Sequence, residues 1–107
     1  MKSIIAATII LATGITTAEA NTLTGEQICP SVGQLAENIM NNRQLDMPMD
    51  KVMGIADAAE DEIAKKMARA LIIDAYTRPA FSSDEYRLRA TAQFKNEMLL
   101  ECYKAFK

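Results

Sequence analysis

Beyond residue 20, apolar positions in this chain recur at helical spacing and never alternate with polar ones over a strand's length. The strongest pattern is the last. Tyr86, Ala90, Phe94, Met98, Cys102 and Phe106 return every fourth residue, a stripe that winds slowly along a helix, and Leu99 and Tyr103 widen it. Ser82 followed by Glu85 fits a capping box, and Phe81 and Tyr86 sit at the positions of a hydrophobic staple. This helix is expected over 83–105, with the rest of the chain packed onto it and Cys102 fastening it.

Upstream, Thr24 and Gln27 form another capping box, but Pro30 has no N–H to donate to Glu26 and would crowd its carbonyl. The two signals are reconciled by a short turn from Thr24 and a main helix over 30–43 with Pro30 near its first position. Ile28, Val32, Leu35, Ala36, Ile39 and Met40 mark one face of it. A second helix is expected over 48–57, with Leu45, Met49, Val52, Met53 and Ala56 on one side and Gly54 weakening it. Asp57 with Glu60 suggests a break near residue 57. A third helix follows over 58–77, turning Ile63, Met67, Leu71 and Ile72 inward and pairing Asp61 with Lys65 and Glu62 with Lys66 on its outer side. Arg78-Pro79 ends it, because a residue before proline is pushed out of the helical region. The expected class is all-α: a small bundle of three to five helices closed by one disulfide.

The N-terminus changes the picture of where such a bundle resides. Lys2, the uncharged apolar run from Ser3 and the Ala18-Glu19-Ala20 site read as a signal peptide over 1–20, leaving a helical domain over 21–107. The alternative is an uncleaved anchor, but the run is short of the roughly 20 apolar residues that span a bilayer. The expected localisation is periplasmic or secreted, with no stable membrane anchor after cleavage. Cleavage takes the 107 residues to 87. A domain of that size buries a modest share of its surface and is marginally stable. Cys29 and Cys102 are the only cysteines, and in an exported chain they are expected to pair. Closing the loop of more than 70 residues between them stabilises by roughly 4 kcal/mol in the chain-entropy description. The alternative, a redox-active thiol pair, has no C-x-x-C and no histidine to support it.

Composition mainly excludes. With 12 basic and 14 acidic side chains and net charge −2, the chain is too balanced to point to nucleic acid. It contains no histidine, which removes Ser-His-Asp and Cys-His catalysis and most zinc sites. Gly14, Gly25, Gly33 and Gly54 are isolated, so there is no phosphate-binding loop. Glu60-Asp61-Glu62 point in different directions on a helix and are read as first-turn acids that complement its dipole, as are Asp84 and Glu85. Asp46 and Asp50 are too few ligands for calcium. No catalytic residue, metal or cofactor is assigned, and the chain is read as a non-enzyme. Methionines crowd one region: Met40, Met47, Met49 and Met53. Methionine serves adaptable binding surfaces and also fills small cores. Met47, Met49 and Met53 are the candidate partner-binding residues, in the region Met40 to Met53 where two helices join.

Two runs, Ile39-Met40-Asn41-Asn42-Arg43-Gln44 and the stretch Ala75-Tyr76…Pro79…Ser83…Glu85-Tyr86…Phe94…Asn96-Glu97…Cys102, resemble a group of small exported helical proteins of bacteria and their phages. The resemblance implies an exported helical domain and supplies no activity. In build, the chain is also similar to periplasmic acid-stress chaperones, although cysteine spacing and local sequence differ. The expected function is binding to another envelope or secreted protein. The alternative is acid-stress chaperoning, in which protonated carboxylates leave the basic groups unopposed and open the fold.

Overall fold

A computed structural model describes residues 24–107, so the expected signal peptide lies outside the described residues. Four helices and no strand occur among them: α1, Gly25–Gln44; α2, Met49–Asp57; α3, Glu62–Tyr76; and α4, Asp84–Ala105. The all-α class is as expected.

The chain is organised around α1 rather than α4. Helix α4 lies along α1, α3 packs on α1 beside it, and α2 packs mainly on α3. Helices α3 and α4 make no comparable pairing with each other. The apolar surface of α1 is broad enough for this role, because Cys29, Val32, Ala36, Ile39 and Met40 are all buried and Gly33 leaves room for α4. The α4 stripe explains the rest. A strict four-residue repeat drifts by about 40° per step, so its two ends rotate away from a straight neighbour. Phe94 at the middle is fully buried, while Tyr86 and Phe106 at the ends stay exposed.

Pro30 lies inside α1, which begins at Gly25 without the expected interruption. The capping box forms, with the Thr24 N–H donating to Gln27 Oε1 at 2.8 Å. The acceptor that Pro30 leaves unused belongs to Glu26, an exposed residue in the first turn where water reaches it. Helix α1 ends in a Schellman arrangement: the Asp46 N–H donates to Arg43 O at 3.1 Å and the Met47 N–H to Asn42 O at 3.0 Å. Asp46 takes the left-handed conformation that this requires, with φ of 62°.

Two other start signals shift. The N-cap of α4 is Ser83, whose hydroxyl accepts from the Tyr86 N–H at 3.3 Å; it is not Ser82. Glu85 pairs instead with Arg89. The Phe81 and Tyr86 rings still meet, with centroids 5.9 Å apart. The N-cap of α3 is Asp61, accepting from the Ala64 N–H at 3.1 Å, so Asp57 with Glu60 does not start a helix. As a cap, Asp61 is unavailable to Lys65, which pairs with Glu62 at 3.2 Å. Neither expected i,i+4 pair on α3 forms, and Asp57 is engaged by Arg69 at 2.7 Å.

The end of α1 holds both connections. Gln44 is buried and donates from Nε2 to Pro79 O at 2.9 Å, while its Oε1 accepts from the Phe81 N–H at 2.8 Å. Arg43 Nε donates to Arg78 O at 2.9 Å, and the Tyr76 hydroxyl donates to Met47 O at 2.6 Å. The Arg43-Gln44 and Tyr76…Pro79 runs, far apart in sequence, thus meet in one clamp.

Candidate functional site: an apolar groove between α3 and α4

Because α3 and α4 both pack on α1 and barely on each other, a groove of about 480 Å³ lies between them. Ile28 and Val32 of α1 form its floor, and Ile63, Met67 and Leu71 form one wall. Met98, Cys102, Ala105 and Phe106 form the other wall together with Glu101, the only charged side chain among the described residues that line it. The α3 side chains share a wall because positions four apart stack on one helix face. Ile63 was expected to turn inward; it is 72 % exposed, at the lip of the groove. It lies in the first turn of α3, where no other helix among the described residues covers it.

Arg78 is not part of the lining, but it links the two helices that form the walls, α3 at Asp74 and α4 at Glu97. Its guanidinium donates to Glu97 at 2.6 Å and to Asp74 at 3.2 Å, and it lies 4.7 Å from the centroid of the Phe94 ring. Burial alone would lower the Arg78 pKa; the Glu97 and Asp74 carboxylates outweigh it, and the net shift is upward. Cys29 and Cys102 are bonded, with Cα atoms 5.7 Å apart, and the bond ties the groove's floor helix to its α4 wall.

The methionine region lies near the opposite end of α3. Tyr76, bonded to Met47 O, is thirteen positions from Ile63, or about 20 Å along the helix. Met40 is fully buried, Met47 and Met53 are half-buried against the core, and Met49 and Leu45 are exposed. Of the candidate residues Met47, Met49 and Met53, only Met49 is exposed, at 38 % against 72 % for Ile63. Sequence reasoning missed the groove because its walls come from stripes that each read as core. The available signal was surplus: α3 and α4 each carry more apolar positions than one contact with α1 can cover.

Among the described residues, no group of three or more His, Cys, Asp or Glu side chains is placed to hold a metal ion, and no helix is long and apolar enough to cross a membrane. What the groove offers is apolar contact. No known protein family, no curated protein and no solved structure matches this chain.

Proposed function

We propose that this is an exported, non-enzymatic helical protein that binds another envelope or secreted protein through the α3–α4 groove. The observation that carries the reading is the groove itself, an open apolar concavity with Ile63 72 % exposed at its lip. Contiguous exposed apolar surface on a small domain marks a contact site more often than a structural need. Export is supported by the residue pattern of the first 20 positions, and the disulfide fits an oxidising compartment such as the periplasm or the outside of the cell. The absence of histidine from the whole sequence supports the non-enzymatic reading.

Leu88 provides the control for a test: it is 71 % exposed, like Ile63, but lies outside the groove. A photoreactive residue is placed at position 63 or at position 88 in the exporting cell, and cross-linked proteins are identified by mass spectrometry. A defined partner captured from position 63, absent from position 88 and lost when Met67→Asp is added, is the expected result. Equal labelling from both positions, or none from position 63, overturns the reading.

A further inference from the structure

The groove also constrains the backbone of whatever enters it, an inference that rests on the docking reading above. Most of the lining is helical, so most of its N–H and C=O groups are already bonded within α1, α3 and α4; the exceptions lie at the groove's ends, in the first turn of α3 at Ile63 and at the end of α4, where Phe106 is the cap residue. An extended segment laid there would bury its own backbone groups against side chains that carry almost no hydrogen-bonding atoms. Unpaired buried backbone groups are costly enough that native structures nearly always avoid them. A helix brings its backbone already paired.

The shape agrees. Two helices packed on a third, but not on each other, leave the corner opposite α1 open, which is where a fourth helix of a bundle sits. Each wall spans eight residue steps, Ile63 to Leu71 and Met98 to Phe106, or about 12 Å. That length matches apolar residues at i, i+3 or i+4, and i+7 of an occupant.

Charge adds direction. Glu97 is engaged by Arg78, but Glu101, one turn further along the same wall, has no ion-pair partner among the described residues. The α3 wall presents no acid in the groove's lining. A cation on the occupant's α4-facing edge would complete Glu101. A fatty acid would bring a carboxylate instead, which Glu101 repels.

We infer that the groove receives an amphipathic helix of a partner protein, with an apolar stripe of about three side chains and a Lys or Arg along the edge that meets Glu101 of α4. The probe is a designed peptide of about 18 residues, long enough to hold helix, with a leucine stripe and lysines along one edge. It is titrated by fluorescence anisotropy against the full oxidised domain. The expected result is saturable binding that falls about a hundredfold when a central proline breaks the peptide helix. Ile63→Asp, at an exposed position whose substitution leaves the core intact, should weaken it about tenfold. Glu101→Lys should shift preference about threefold toward a glutamate-edged peptide, the scale of an exposed ion pair. Equal binding of the proline-broken peptide, no effect of Ile63→Asp, or displacement of the peptide by laurate overturns the inference. If no designed helix binds while position 63 still cross-links a partner, the helical occupant is wrong and the docking reading stands. If both fail, both fall.

Discussion

Gln44, the last residue of α1, holds Phe81 three positions before α4: its side-chain oxygen accepts the Phe81 N–H at 2.8 Å while its amide nitrogen donates to Pro79 O at 2.9 Å. One buried amide thereby sets where the connection between α3 and α4 lies, and with it the relation of the groove's two walls. Gln44→Leu should cost about 2–3 kcal/mol, because it leaves an N–H and a carbonyl unpaired in a part-buried place. Gln44→Glu, nearly the same shape, should also destabilise, since it turns an acceptor toward Pro79 O. Urea unfolding midpoints measure both; a loss below about 0.5 kcal/mol, the scale of a neutral surface change, for either would show that the clamp is ornamental.

The Cys29–Cys102 bond closes a loop with a sequence separation of 73. Cys102→Ser is expected to cost about 2–5 kcal/mol. Reducing agent should destabilise the wild type by a similar amount and leave the variant unchanged. Calorimetry with and without reductant checks this.

Gly33 faces Leu99 so closely that an added Cβ would sit 2.6 Å from Leu99 Cδ2 and 2.9 Å from its Cγ. Gly33→Ala gains about 1 kcal/mol of helix propensity and loses about 1–3 kcal/mol to overpacking. The net should be destabilising, by about 1 kcal/mol. Leu99→Ala removes the obstructing atoms, so a double-mutant cycle should return a favourable coupling of about 0.5–3 kcal/mol between the two substitutions. A stabilising Gly33→Ala would mean that Leu99 swings aside at no cost.

Asp46 sits at φ of 62° in the cap that ends α1. A side chain there is strained, and glycine is not. Asp46→Gly should stabilise by about 0.5–1 kcal/mol, read as a rise in Tm. An unchanged or lower Tm would show that the Asp46 side chain contributes more than its backbone costs.

Tyr76 has its pKa raised above 10.0, first by burial and also by Asp46, against the opposing pull of Arg43. The native state therefore holds this proton more tightly than the unfolded chain. The stabilisation is complete below about pH 10, the unfolded tyrosine value, and is lost as pH rises through the higher folded value. Stability of the wild type should fall in that window, and Tyr76→Phe should remove this part of the fall. The variant should also lose about 1 kcal/mol at neutral pH with the bond to Met47 O. Parallel alkaline unfolding curves would sink the assignment.

The sequence alone determined the properties that are local or covalent. Helical periodicity without alternation decided the all-α class, because side-chain spacing sets which faces an element can bury. The Arg78-Pro79 stop and the Thr24–Gln27 box were legible because proline sterics and capping act within a turn. The Cys29–Cys102 pairing followed from there being two cysteines and an exported-looking chain. Tertiary structure decided whatever depends on distant partners. Pro30 stays within α1 because Cys29 is tied to Cys102 and Gly25 packs beneath Phe106, holding the first turn in place. Ser83 caps α4 in place of Ser82 because Gln44 and Arg87 hold Phe81 at its backbone N–H and carbonyl. Ile63 lies exposed because α3 and α4 both meet α1 and leave a gap between them, and no periodicity within one helix can say which of two apolar stripes will find a neighbour.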